Sequence, residues 1–300
     1  MKRKDFVTFL NQFGLSFQDF QKSWFNSRQI QIVNDTAIQD TKEVRYRKVS
    51  SYLDSVSDKG LKSLYSEIDK YTSSPDADRF EHIKQEISKR ISMAGKGVFR
   101  KQTYALGRGT KLYRIVRLPD DNKEVSTFKE IVPIKFVKQY RLNRGDEQMF
   151  YAAFSKDVAI AETGVTNSVD KYALLTYEVK SDVDLIAIVR NSNILDPTDK
   201  FTKFYGAKSN EILVNIFSRP ASPNGSEYEL SNYIRRCSEF SLDAEHSGWI
   251  YPSVKSINTD GIDYRTSCVA FPLDHYLNVV NLDSVEWEFS QACEGIDYNY

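Results

Sequence analysis

The sequence predicts an α+β fold, with a mixed, largely antiparallel sheet preceded by a small helical segment. From Phe6 to about Ser92 apolar residues recur three and four apart, the period of a helix that buries one face. Leu61, Leu64, Tyr65 and Ile68 show it, and Phe80, Ile83, Ile87 and Ile91 repeat it. After Thr110 the period shortens and strand-like runs take over. The helical stretches between those runs are brief and irregular, so the strict strand-helix-strand alternation of a parallel sheet is missing.

The helical segment is broken by Tyr71-Thr72-Ser73-Ser74-Pro75-Asp76, whose proline and capping side chains fit a turn, with Ser74 or Asp76 near the next N-cap. Gly95-Lys96-Gly97 and Gly107-Arg108-Gly109 then mark a hinge. A phosphate loop needs Gly-x-x-x-x-Gly-Lys-Ser/Thr, and Lys96 is followed by glycine, so a linker is the better reading. The expected organisation is a helical domain at 1–95, a linker at 96–110 and a sheet domain at 111–300. Strands are expected at Leu112 to Leu118, Met149 to Phe154, Tyr172 to Val179, Leu185 to Val189, Glu211 to Phe217, Trp249 to Val254 and Cys268 to Phe271. Asp260-Gly261 could close a hairpin, because Asp-Gly supplies the positive φ angles of a type I′ turn.

Lys plus Arg and Asp plus Glu number 41 each, so no net field draws the chain toward nucleic acid or an anionic membrane. The cysteines, Cys237, Cys268 and Cys293, include no Cys-x-x-Cys pair and point to a reducing compartment. No run approaches the ~18 apolar residues of a membrane helix. The basic start has no signal-like apolar stretch after it, because Asn11, Gln12 and Gly14 intervene. A soluble, cytoplasmic protein is expected, or an effector exported by a route that leaves no cleavable signal. The helical segment is mildly basic and the remainder slightly acidic, which suits partner binding, self-inhibition or dimerisation as well as plain packing.

In the stretch from Met149 to Gly164, Phe150 to Phe154 reads as a buried strand, Ser155 as a helix N-cap, Asp157 as a favourable first-turn acid and Gly164 as the terminator. Val158, Ala159, Ile160 and Ala161 make the short helix apolar on every side, which predicts burial. Glu162 stands out there. A carboxylate in a last turn opposes the helix dipole by ~0.3–1 kcal/mol, and burial would add several more. Folding alone does not select it; a buried ion pair is the structural alternative.

Strand period puts Arg114 on one face with Leu112, Val116 and Leu118, where a fork of donors could hold a diphosphate or simply snorkel to the edge. Ser253 falls on the face of Trp249 and Tyr251, next to Pro252, and could position a ligand or make a local backbone bond. A Ser253, His246 and Asp243 triad lacks the Gly-x-Ser-x-Gly elbow. His82, His246 and His275 are isolated, so no metal site is expected.

The Leu112-Tyr113-Arg114 strand, the Arg141-Leu142-Asn143-Arg144-Gly145 turn, the Tyr151-Ala152 strand, the Ala159-to-Glu162 helix and the late Tyr251-Pro252-Ser253-Val254 together resemble the RES domain family over roughly residues 110 to 275. The family often has Gly-Arg-Trp-Asn where this chain has Tyr140-Arg141-Leu142-Asn143. The resemblance implies a catalytic domain at 111–300 with an ADP-ribosyltransferase-like fold that degrades NAD by hydrolysis or phosphorolysis, usually as a toxin held by an antitoxin or immunity protein. It implies Glu162, Arg114 and Ser253 as catalytic residues. Arg141, Tyr151, Asn143 and Tyr251 are the implied substrate-binding residues. No cofactor is expected beyond NAD as substrate and inorganic phosphate as co-substrate. Cleaving the nicotinamide-ribose bond develops oxocarbenium character, which a carboxylate stabilises. Two alternatives stay open: transfer of ADP-ribose to a macromolecule, and a nucleotide-binding module without turnover.

Overall fold

The helical periodicity of the N-terminal segment folds as α1 (Arg3–Gln12), α2 (Phe17–Asn26), α3 (Lys42–Ser55), α4 (Asp58–Ser73) and α5 (Ala77–Ile91). Ser57 caps α4 by accepting from Gly60 N at 3.2 Å, and Asp76 caps α5 by accepting from Asp78 N at 3.0 Å. Of the expected stripes, Leu61, Leu64 and Ile68 on α4 and Ile83, Ile87 and Ile91 on α5 are buried, while Tyr65 and Phe80 are half-buried. Phe6, Leu10, Phe20, Tyr46 and Leu53 form a separate aromatic-rich core, with Phe6 and Tyr46 stacked at 4.5 Å.

The computed structural model describes residues 2–26, 42–91, 103–117, 138–164, 171–188, 200–222, 224–236, 248–255 and 266–289. Contacts divide the chain into two units, Met1–Arg100 with Ser192–Leu213, and Lys101–Asn191 with Val214–Tyr300. The second unit carries the sheet: β1 (Thr103–Leu106), β2 (Lys111–Arg117), β3 (Met149–Ala153), β4 (Lys171–Val179), β5 (Val183–Ala187), β6 (Trp249–Pro252), β7 (Ser267–Pro272) and β8 (Val280–Phe289). Their order is β1-β5-β6-β7-β3-β2-β4-β8. β5 and β6 run parallel and the remaining pairs antiparallel, so the fold is α+β with a mixed, largely antiparallel sheet. One face of the sheet buries Leu112, Phe150, Ala173, Leu175, Tyr177 and Ile250 in a common core.

The helices that follow are α6 (Lys156–Thr163), α7 (Lys200–Phe217), α8 (Ser226–Arg236) and α9 (Leu273–Val279), with the residues of α7 up to Leu213 in the first unit. The strand expected at Glu211 to Phe217 is the last part of α7. Ile212 with Ile216, and Leu213 with Phe217, fall four apart and all four are buried, which a helix satisfies and an alternating strand does not. Thr103–Leu106, read from sequence as linker, is β1 and pairs with β5. Leu118, Val189, the Gly95-to-Gly97 part of the hinge and the Asp260-Gly261 hairpin lie outside the described residues.

One irregularity of the sheet places the site. β2 pairs with β4 from Lys111↔Glu178 to Arg117↔Tyr172, and β3 pairs with β7 along its length. Between β2 and β3, among the described residues, the ladder is the single register pair Tyr113↔Ala153. The two strands part beyond it, and a cleft opens in the fork.

Candidate active site

The cleft encloses about 350 Å³ and is lined by Tyr113, Arg114 and Ile115 of β2, by Met149, Tyr151, Ala152 and Ala153 of β3, and by residues of α6, α8, β6, β7 and the turn before β3. That volume is within the range of small-ligand pockets. Six of the seven residues singled out from sequence line it, namely Arg114, Arg141, Asn143, Tyr151, Glu162 and Tyr251. Ser253 reaches it through Glu162.

α6 is built as the sequence indicates. Ser155 caps it by accepting from Val158 N at 3.2 Å, and Gly164 ends it at φ 63, a left-handed conformation that favours glycine. Its burial differs from expectation: Val158 and Ala159 are buried, Ile160 and Ala161 are half-buried, and Glu162 is exposed. The helix lies along the cleft with one side open, so Glu162 does not carry the desolvation cost expected of it. It is fixed by donors instead. Ser253 Oγ donates to Glu162 Oε1, and Val254 N donates to the same oxygen at 2.9 Å. Ser253, 2% exposed, is held in turn by its own N–H to Thr266 O at 3.2 Å. The carboxylate at the dipole-unfavourable end of α6 is therefore oriented by the irregular end of β6.

Gly248 opens β6 where a Cβ would stand 2.5 Å from Leu185 Cδ2 and 2.7 Å from Phe271, so the strand enters the core there because no side chain intervenes. Tyr251 and Cys268 face each other across β6 and β7 and both line the cleft. Burial pushes the Tyr251 phenol well up, with the neighbouring Cys268, Tyr151 and Glu162 adding to it. Burial and then Glu162 push the Cys268 thiol well up as well. Both groups are neutral at ordinary pH.

Arg141 is buried, and its Nη2 donates to Arg219 O at 2.5 Å. Its Cζ lies 5.6 Å from the centroid of the Tyr228 ring. Nη1 is buried without a hydrogen-bond partner among the described residues. Tyr151 and Asn143 hold the turn that carries Arg141. Tyr151 Oη donates to Asn143 Oδ1 at 2.7 Å and accepts from Leu142 N at 3.1 Å, while Asn143 Nδ2 donates to Lys138 O at 2.8 Å and Arg144 O at 2.7 Å. Burial raises the Tyr151 phenol far above its ordinary value. Tyr140 is 47% exposed, and Leu142 is fully buried and anchors the turn from beneath. Arg114 shares the face of Leu112 and Val116, with its Cζ 5.6 Å from the Phe150 ring, and it lines the cleft at the fork where β2 leaves β3.

Sequence reasoning missed the contribution of α8. Asn232 Nδ2 donates to Tyr140 O at 2.7 Å, to Asn143 O at 3.1 Å and to Tyr228 O at 2.8 Å, clamping the Arg141 turn. Glu147, also in the wall, pairs with Arg235 at 3.0 Å and with Arg236, and it accepts from Arg144 N at 3.0 Å. A helix signal was present: Glu227 and Glu229 stand in the first turn, Arg235 and Arg236 in the last, and Pro220 and Gly225 precede it. Among the described residues no group of three or more His, Cys, Asp or Glu side chains could hold a metal, and no helix is long and apolar enough to cross a membrane.

The arrangement joins an oriented, solvent-reachable carboxylate to a guanidinium whose Nη1 has no partner among the described residues, between walls of neutral phenols and small residues. It can hold an anionic group beside a centre that becomes positive. The family described as RES domain matches residues 111–289. Comparison with the curated proteins and with solved structures returns no match. The family match covers more than half of the chain and includes every residue placed around the cleft, so the chain belongs to the RES domain family.

Proposed function

We propose that this protein consumes NAD, breaking the nicotinamide-ribose bond by hydrolysis or phosphorolysis, and that it acts as a toxin or effector restrained by a neutralising partner. The observation that carries this reading is Glu162, fixed through Oε1 by Ser253 and Val254 N in the same cleft as Arg141. When the bond to nicotinamide breaks, its electron pair leaves with the base and positive charge develops on the ribose. A carboxylate oriented beforehand stabilises that charge without reorganising. Water or inorganic phosphate then attacks the anomeric carbon and, in the case of water, loses a proton.

In this reading Arg141 and Arg114 grip the diphosphate or admit phosphate, Tyr151 offers its ring to the nicotinamide, Tyr251 contacts the substrate, and Ser253 orients Glu162. Tyr151 and Asn143 shape the arginine turn from within.

The deciding experiment incubates purified protein with NAD, with and without phosphate, and identifies products by mass. Free nicotinamide with ADP-ribose, or with its 1″-phosphate when phosphate is present, is the expected result. Label from NAD retained on protein or nucleic acid would mean transfer instead, and a stable complex without nicotinamide release would leave a binding module.

A further inference from the structure

We propose that Tyr228 is a positioning residue for substrate anions, its ring holding the Arg141 guanidinium in the orientation that receives the diphosphate of a dinucleotide. The inference deepens the function proposed above and rests on it for the identity of the dinucleotide. Its physical basis is local to the turn and α8.

The Arg141 guanidinium has two supports: the Arg219 carbonyl on Nη2 at 2.5 Å, and the Tyr228 ring 5.6 Å from Cζ. Nη1 has no hydrogen-bond partner among the described residues, although the side chain is more than nine-tenths buried. A buried charged donor left unpaired is costly in a folded protein, so unused capacity beside a cleft points to a ligand that supplies the acceptor. A carbonyl at one corner and an aromatic face against the plane restrict how the fork can turn, and that restriction lowers the entropy lost on binding a planar acceptor pair.

Tyr228 is built for this place. It lines the cleft and is half-buried, whereas a purely structural tyrosine on the inner face of α8 would be covered. One turn later on the same face, Asn232 ties down Tyr140 O and Asn143 O, so a single helix surface fixes both the backbone that carries Arg141 and the ring beside its head group. The Tyr140 ring, 6.3 Å away, extends the aromatic wall toward solvent.

The test uses the full chain and calorimetric binding of two probes, inorganic pyrophosphate and ADP-ribose. Wild type binds both. Tyr228→Phe, which keeps the ring, binds pyrophosphate within about 2-fold of wild type, and Tyr228→Leu binds roughly 10-fold more weakly. Arg141→Met weakens binding at least as much, and adding Tyr228→Leu to it costs nothing further, because the ring acts through the arginine. Should Tyr228→Leu not fold, Tyr228→Trp takes its place and must retain wild-type affinity. Any of four results overturns the inference: no pyrophosphate binding by wild type, wild-type affinity in a folded Tyr228→Leu, equal losses in the Phe and Leu variants, or additive losses in the double variant. Pyrophosphate binding that depends on Tyr228 without any NAD turnover would sink the enzymatic reading alone. NAD turnover by Tyr228→Leu at the wild-type KM would sink the inference alone.

Discussion

Glu162 receives both of its hydrogen bonds on one oxygen, and the two donors differ in what mutation can do to them. Val254 N belongs to the backbone and survives substitution, whereas the Ser253 hydroxyl does not. A hydrogen bond to a charged group is worth ~1.5–3 kcal/mol, so Ser253→Ala should lower kcat for nicotinamide release by roughly 10- to 100-fold with KM little changed. Glu162→Gln should lower it further while leaving the melting temperature near wild type, since the carboxylate is exposed; equal kcat in all three proteins would remove Glu162 from the chemistry. Cys268 lies nearby but is held protonated by burial and by Glu162. Alkylation followed by mass spectrometry should find it slow to react with iodoacetamide at neutral pH, and rapid labelling would contradict the environment described for β7. At this scale the sequence made Glu162 conspicuous for one reason that holds and one that does not. Its place in the last turn of α6 is as expected, but no residue pattern could show that one side of so short a helix faces a cleft, because the cleft is made by β2 and β3 parting.

Elements were legible where their period was long or their caps explicit. α4 and α5 show both, and α6 announces itself through Ser155 and Gly164. The apolar run Glu211 to Phe217 is rich in strand formers, and only the upstream turns of α7, with Phe201, Phe204 and Ala207 at helical spacing, argue otherwise. α8 had capping charges and buries Leu230 and Ile234, four apart, but that stripe faces the core, and the face that matters to the cleft carries Tyr228, Asn232 and Arg235, which no apolar period marks. Its role predicts that Asn232→Ala, which leaves the Tyr140 and Asn143 carbonyls without that amide, costs about 1–3 kcal/mol of stability and weakens pyrophosphate binding through the Arg141 turn. Denaturant melts with calorimetry check both, and unchanged binding in the folded variant would detach α8 from the site. On α5, burial pushes the Glu86 carboxyl up, but the hydrogen bond and charge of Arg90 outweigh it and hold it below its ordinary 4.5. A carboxylate lowered in the folded state stabilises above its unfolded pKa, and that contribution is lost as pH falls through the folded value. Urea melts of wild type should therefore lose stability below about pH 4.5 more steeply than those of Glu86→Gln; parallel curves would show that the pair contributes nothing.

The N-terminal helices and the sheet look like successive segments in sequence, and a cut near residue 95 is the natural way to ask what the helices do. The chain does not divide so simply. The first unit takes in Ser192–Leu213 as well as Met1–Arg100, so the first part of α7 belongs with α1 to α5. Phe204 packs edge-on against Phe13 at 5.8 Å, and Lys208 pairs with Asp58 at 3.7 Å. These contacts connect residues far apart in sequence, and neither aromatic pairing nor such an ion pair leaves a periodic trace. Removing residues 1–95 strips the partner surface from Phe204 and exposes the apolar side of α7. The expected outcome is a chain that melts at lower temperature than wild type and is cut by protease within residues 200–213 before the sheet is. If the truncated chain instead keeps the full melting temperature and resists cleavage there, the helices fold without α7, and comparing NAD turnover and oligomeric state with wild type then becomes a direct measure of whether they regulate the cleft.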